Sequence, residues 1–131
     1  MFKFLSSLLI CIFIVLSSDI TRADFPIVDD LQVAQSLSES TGQPLILIFG
    51  AKSCAFCELL KKDIDDGYFL MQLDGTIVCY VDVTRRQDLI DKYKIKSLPD
   101  TRYIVNGDQR AYIVGYDRKK YEKWLSNVSV K

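Results

Sequence analysis

The feature that most constrains this chain is a pair of cysteines, Cys54 and Cys57, placed between a strand pattern and a helix pattern. The residues at 45–49 form a continuous apolar run, which is typical of a strand buried on both faces. After the pair, Leu60 and Ile64 stand one helical turn apart. The pattern therefore predicts a buried strand, a short turn and a helix that begins at the first cysteine.

This placement predicts that the two sulfurs differ. The unpaired N–H groups and the positive dipole end of a helix N-terminus stabilise a thiolate and lower the pKa of a cysteine placed there. We therefore expect Cys54 to be the attacking thiol. Cys57 stands one turn further along the same face, so we expect it to lie within disulfide reach, to be more buried and to act as the resolving thiol.

The sequence leaves two other interpretations of the pair open, half of a metal site and a structural bridge. The chain has no histidine, so further metal ligands would have to come from Cys79 or from carboxylates. Cys79 stands within an apolar strand pattern, where a free cysteine packs as a small hydrophobic residue. We therefore expect Cys79 to belong to the core, and we expect no metal or organic cofactor. The lack of histidine also excludes Ser-His-Asp and Cys-His catalysis.

Residues 1–23 predict a secretory signal peptide. Lys3 precedes an almost wholly apolar run at 4–16, and Ala23 ends a segment compatible with cleavage. An uncleaved membrane anchor is the alternative interpretation, although the run is shorter than the roughly 20 apolar residues that span a bilayer. We expect an exported protein, periplasmic or extracellular, because disulfides persist there. Contact with a membrane is expected only if the segment stays attached.

The remaining residues, 24–131, are sufficient for one domain with its own core. The 17 basic and 17 acidic residues of the chain cancel in formal charge. This balance leaves no basic excess to attract nucleic acid, so nucleic-acid binding is not expected. We expect the domain to be a monomer.

The element order predicted along this domain is α β α β α β β α, in which parallel strands joined by helices precede an antiparallel hairpin. Residues 65–75 carry no clear pattern, and the acidic cluster that includes Asp63 is interpreted as a solvated helix end. Four local signals bound the other elements: a helix cap at Asp29 or Asp30, a capping box from Thr84 to Gln87, a hairpin turn at Asn106-Gly107 and a helix cap at Asp117.

Taken together, these features resemble the thioredoxin fold over residues 24–128. The cysteine pair opens a helix after a buried strand, and Pro99 enters the antiparallel hairpin. The sequence is most similar to the exported thioredoxin-like proteins of bacterial envelopes. The resemblance implies an α/β fold of three layers, α/β/α, around a central mixed sheet of parallel strands and a C-terminal antiparallel hairpin. It also implies a thiol–disulfide oxidoreductase that exchanges disulfides with protein substrates and is reset by a partner redox protein.

Five residues are predicted to form one site, four of them through the resemblance and Phe56 through its position between the cysteines. Cys54 and Cys57 would be the catalytic pair, would pass through a mixed disulfide with the substrate and would close a disulfide between them. The peptide bond between Leu98 and Pro99 would be cis and would lie beside the cysteines. Since proline has no N–H, the backbone of Leu98 would be free to pair with a substrate strand. Phe56 would complete an apolar rim for the substrate.

The sequence also departs from the family pattern. Ala55 and Phe56 replace the usual Gly-Pro between the cysteines, and Ser53 replaces the tryptophan before them. The buried aspartate of reductant thioredoxins is Ile48 here, and its lysine partner is assigned to Val78. These losses argue against efficient reduction of the cytosolic kind and leave the direction of electron flow open. A non-catalytic binding module on the same fold, or a metallochaperone, is the alternative function.

Overall fold

The computed structural model describes residues 26–129, so the predicted signal peptide at 1–23 lies outside the described residues. Within this range the chain forms short strands and helices with the bounds β1 Ile27–Val28, α1 Leu31–Thr41, β2 Leu45–Gly50, α2 Ala55–Asp65, α3 Leu70–Leu73, β3 Ile77–Asp82, α4 Gln87–Tyr93, β4 Asp100–Val105, β5 Asp108–Val114 and α5 Arg118–Ser129. Among these helices, none is both long enough and apolar enough to cross a membrane.

The strands form one mixed sheet in the order β1-β3-β2-β4-β5. Strands β1 and β2 both pair in parallel with β3, whereas β4 pairs antiparallel with β2 and with β5. Strand β2 is therefore bonded on both edges, and all 6 of its residues are buried. Its central position explains the continuous apolar run, because helices cover the sheet on both faces. The predicted three-layer α/β/α fold is confirmed.

The alternation of side chains along β2 divides the interior into two cores. Ile46 and Ile48 point to the face that packs against α2, α3 and α5. Leu45, Leu47 and Phe49 point to the opposite face, which α1 and α4 cover. Each helix thus buries its apolar side against one face of the sheet.

Three of the local signals in the sequence are present in the structure. Asp30 caps α1 by accepting a hydrogen bond at 3.0 Å from the backbone N–H three residues later. Asp117 caps α5 in the same way, also at 3.0 Å. The turn between β4 and β5 holds Asn106 and Gly107 at φ 51° and 80°, as a two-residue hairpin turn with two left-handed residues requires.

The predicted capping box at Thr84 and Gln87 is wrong. The N–H and the hydroxyl of Thr84 both donate to the Asp82 carboxylate, at 2.9 and 2.6 Å, and so close a turn at the end of β3. Helix α4 begins at Gln87, and its N-cap residue Arg86 makes no side-chain capping bond. Thr84 therefore lies two residues before the N-cap and outside the capping position. The predicted order also omits β1 and α3, which are only 2 and 4 residues long.

Helix α2 is fixed near its C-terminal end by Asp63, which is buried rather than solvated as predicted. Its carboxylate accepts hydrogen bonds from the Arg118 guanidinium at 2.8 and 3.0 Å and from the Tyr116 hydroxyl. Burial alone would raise the pKa of Asp63, but the bonds from Arg118 and Tyr116 outweigh it and hold the pKa below its ordinary value. These contacts attach α2 to the junction between β5 and α5.

We expect Asp63→Asn to lower the free energy of unfolding at pH 7 by about 1–3 kcal/mol, because it removes a charged acceptor from two donors. Since the folded pKa of Asp63 lies below its unfolded value, its contribution is present above about pH 4 and is lost as the pH falls through the folded pKa. Urea unfolding of both proteins at neutral and acidic pH measures the two effects.

Asp66→Asn is the matched control, because Asp66 pairs with Lys62 on the same stretch of chain but has a side chain that is 45% exposed. An exposed ion pair contributes little, so this variant should change the free energy of unfolding by less than about 0.5 kcal/mol. Equal losses in the two variants would contradict the structural role assigned to Asp63.

Candidate active site

Cys54 is the N-cap residue of α2, with an extended backbone at φ −97° and ψ 106°. Its sulfur accepts a hydrogen bond from the N–H of Cys57 at 3.2 Å, and its carbonyl accepts one from Glu58 at 3.1 Å. Its own N–H donates to the carbonyl of Ala51 at 3.1 Å, which closes the turn after β2. The predicted position at the helix N-terminus is confirmed. The sulfur therefore lies where the helix N–H groups and dipole favour negative charge.

Cys54 and Cys57 are joined by a disulfide bond, with their Cα atoms 5.2 Å apart. This separation is in the ordinary range for disulfides. Cys57 is fully buried, whereas Cys54 is half-buried. A thiol that arrives from solvent therefore reaches Cys54 first. The pair has the outer and inner sulfur that the sequence predicts.

The proline loop lies beside the disulfide, and the predicted cis peptide bond between Leu98 and Pro99 is present. Asp100, the first residue of β4, pairs with Phe49 near the end of β2, so Pro99 stands next to the point where the cysteine loop begins. Leu98 and Cys54 pack against the same buried cluster. The structure thus places Leu98 and Pro99 at the end of β2 from which the loop to Cys54 begins.

An apolar surface patch adjoins the disulfide on α2. Phe56 is 60% exposed and Leu59 is 43% exposed, and their spacing places them on one face of the helix. The sequence predicts Phe56 at the site but not Leu59. Leu59 stands three residues after Phe56, and this helical spacing is the signal in the sequence that identifies it.

The register between β2 and β3 corrects one assignment. The residue of β3 beside Ile48 is Tyr80, whereas Val78 pairs with Ile46. No carboxylate or ammonium group therefore stands at this buried pair of positions, and a phenol fills the space instead. The hydroxyl of Tyr80 rests against Gly50, leaving no room for a side chain there.

Cys79 lies on the other side of the sheet from the disulfide. It pairs with Leu47, is fully buried and packs in the core covered by α1 and α4. The prediction that Cys79 packs in the core is confirmed. The sheet separates its sulfur from the pair, so the three cysteines do not form one ligand set. Across residues 26–129, no cluster of three or more cysteine and carboxylate side chains is arranged to hold a metal ion.

The sheet order, the layers and the position of the cysteine pair define a protein of the thioredoxin-fold class. A family model described as a thioredoxin-like domain matches residues 31–129, so the chain belongs to the thioredoxin-like domain family. A thioredoxin from Thermus thermophilus superposes with a TM-score of 0.69 at 21% identity, over 80% of this chain and 87% of that one. A poplar thioredoxin h gives a TM-score of 0.67 at 16% identity, over 80% and 96%.

Protein disulfide-isomerase A5 of Mus musculus is 24% identical over 86 residues. The match covers 63% of this chain but only 17% of that relative, so the chain corresponds to a small part of it. At these identities the similarity to solved structures establishes the fold.

We expect Cys79 to resist alkylation in the folded protein. Burial, with smaller contributions from Asp30 and Asp29, raises the pKa of its thiol to about 12, so little thiolate is available near neutral pH. After mild reduction, iodoacetamide should modify Cys54 in the native protein and Cys79 only after unfolding in guanidinium. Peptide mass spectrometry measures both rates, and modification of native Cys79 as fast as Cys54 would contradict the expectation.

Proposed function

We propose that this protein is a thiol–disulfide oxidoreductase that acts on the thiols and disulfides of other proteins. The observation that carries the proposal is the asymmetric bridge between Cys54 and Cys57 at the N-terminus of α2. One sulfur is accessible and the other is held beneath it within bonding distance. The family match and the similarity to a protein disulfide-isomerase support the proposal.

Starting from the bridged protein, a substrate thiolate attacks Sγ of Cys54, and the bond to Cys57 breaks. A second substrate thiolate then attacks the mixed disulfide, which releases Cys54 and leaves a disulfide in the substrate. Two electrons pass from the substrate dithiol to the protein, and the two thiol protons pass to the cysteines. In the opposite direction, the Cys54 thiolate attacks a substrate disulfide and Cys57 resolves the mixed disulfide.

The N-cap geometry supports Cys54 as the sulfur that exchanges. The N–H of Cys57 already donates to the Cys54 sulfur at 3.2 Å, and this donor is placed to stabilise negative charge on the sulfur when it leaves the mixed disulfide. The donor belongs to the first turn of α2, so no rearrangement is needed to bring it into position. A thiolate that is stabilised in this way is the better leaving group.

Phe56, Leu98 and Pro99 are the residues to which we assign substrate contact. Phe56 presents an exposed apolar ring on the first turn of α2, and the proline loop lies at the end of β2 from which the cysteine loop begins. Proline offers no N–H, so the Leu98 backbone is the group of this loop suited to pair with an extended substrate segment. This arrangement fits a polypeptide substrate whose disulfide lies in an accessible, extended stretch.

We also propose that the protein is exported to a periplasm or to the cell exterior, where a partner redox protein resets the cysteine pair. The basic start and apolar run of residues 1–23 support export. An oxidising compartment also suits a protein whose cysteine pair is bridged. N-terminal sequencing of the protein recovered outside the cytoplasm tests this location.

Substitution of the paired cysteines tests the function directly. In an assay that couples dithiothreitol to the reduction of insulin disulfides, Cys54→Ser should bring the rate to the uncatalysed level, because the attacking sulfur is lost. When reduced Cys57→Ser is freed of dithiothreitol and then mixed with the disulfide substrate, a mixed disulfide should accumulate at Cys54, since the second thiol that would resolve it is missing. Mass spectrometry of acid-quenched samples detects the trapped species.

Cys79→Ser is the matched control, and its rate should stay within about twofold of the wild-type rate because its sulfur lies across the sheet. A bridge that neither forms reversibly in glutathione buffer nor exchanges with a substrate disulfide would exclude the enzyme. That result would favour a non-catalytic binding module on the same fold.

Phe56→Ala should raise KM for a protein disulfide substrate about five- to tenfold and leave kcat and the free energy of unfolding nearly unchanged, because an exposed aromatic ring contributes to contact rather than to the core. Met71→Ala is the control, since Met71 on α3 is 89% exposed and away from the cysteine loop in the sequence. Equal effects of the two substitutions on KM would rule out Phe56 as a specific contact.

A further inference from the structure

One buried polar group has no role in the exchange steps or in the ion pairs of the fold. The hydroxyl oxygen of Tyr80 is inaccessible to solvent, and within residues 26–129 it has no hydrogen-bond partner. Buried polar groups are normally paired, because an unpaired one has lost its bonds to water without replacement. The position of this hydroxyl therefore needs a physical reason.

The surroundings of Tyr80 place its hydroxyl next to the cysteine loop. Tyr80 lies beside Ile48, and its ring extends along the sheet until the hydroxyl rests against Gly50, the last residue of β2. The Lys61 ammonium of α2 lies 5.1 Å from the centre of the ring. The phenol is therefore enclosed between the end of β2 and the first turns of α2.

Cys57 is the inner sulfur on this same side of the sheet. It belongs to the buried cluster that contains Tyr80, and it shares one face of α2 with Lys61, four residues further on. Burial, with the nearby Glu58 and Asp82 adding to it, raises the pKa of Tyr80 to about 12. The phenol therefore keeps its proton and is available as a hydrogen-bond donor.

We propose that Tyr80 is a positioning residue for the redox pair, whose hydroxyl donates a hydrogen bond to the sulfur of Cys57 when the bridge to Cys54 opens. The inference rests on the proposed exchange function. In the bridged protein the hydroxyl has no acceptor among the residues that the structure describes. Opening the bridge frees the Cys57 side chain to rotate and converts its sulfur into a thiol or thiolate, and a thiolate is a far stronger acceptor than a bridged sulfur.

The step balances while Tyr80 keeps its proton. As the bond between Cys54 and Cys57 breaks, a dithiol partner is oxidised to a disulfide and gives two electrons to the pair. The two protons of the partner pass to the two sulfurs, or one passes to solvent where a thiolate persists. The new hydrogen bond stabilises only the open form, and the unpaired hydroxyl destabilises only the bridged form. Both effects favour the dithiol and make the pair a stronger oxidant of substrates.

Tyr80→Phe removes the hydroxyl and keeps the ring. The protein is equilibrated in glutathione buffers to find the ratio [GSH]²/[GSSG] at which half of it is reduced. In Tyr80→Phe we expect this ratio to rise about tenfold. Such a rise corresponds to a reduction potential about 30 mV more negative. Tyr103→Phe is the matched control, because Tyr103 lies in the same cluster and is 7% exposed, as Tyr80 is. The control ratio should stay within about twofold of wild type. An unchanged ratio in Tyr80→Phe, measured where the wild-type bridge opens reversibly, overturns the inference and leaves the exchange function intact.

A second measurement needs neither the variant nor an exchange partner. The hydroxyl proton of Tyr80 is observed by NMR in the wild-type protein, first bridged and then reduced with a phosphine. We expect a slowly exchanging, downfield signal only in the reduced form. The same signal in both forms, as a permanently bound water would give, overturns the inference. If this signal changes but the bridge does not exchange with substrates, the proposed function fails and the hydrogen bond of Tyr80 stands.

Discussion

The pairing of β2 with strands of opposite direction on its two edges is the constraint on which the rest of the site depends. Strand β3 runs parallel to β2, so the chain must cross over between them, and α2 begins where β2 ends. Strand β4 runs antiparallel, so its first residues lie beside the last residues of β2. One end of a single buried strand therefore receives both Cys54 and Pro99, which come from distant parts of the sequence.

The same sheet also separates the bridged cysteines from the free one. Side chains alternate between its faces, so Tyr80 and Cys57 share one core and Cys79 belongs to the other. The hydrogen-bonded backbone of the sheet lies between the core that contains Cys57 and the core that contains Cys79. A free thiol can thus persist in the chain without competing for the bridge between Cys54 and Cys57.

The features that could be predicted from the sequence involve contacts between residues that are close together along the chain. The cap at Asp30 and the cysteines at the start of α2 involve atoms only a few residues apart, and both predictions are confirmed. The burial of Asp63 could not be predicted, because its partner Arg118 is 55 residues away and only the fold brings them together. The contact between Ile48 and Tyr80 depends on the register of two strands, which no local pattern specifies.

The ion pair between Asp63 and Arg118 anchors the C-terminal end of α2 but does not contact its N-terminal turn. The C-terminal half is held by this ion pair and by the buried side chains of Leu60 and Ile64, whereas the N-terminal turn carries the sulfurs. We therefore expect any adjustment of the backbone between oxidation states at the first turn of the helix rather than in its anchored C-terminal half. A molecule that distinguishes the two oxidation states would then have to contact the first turn of α2.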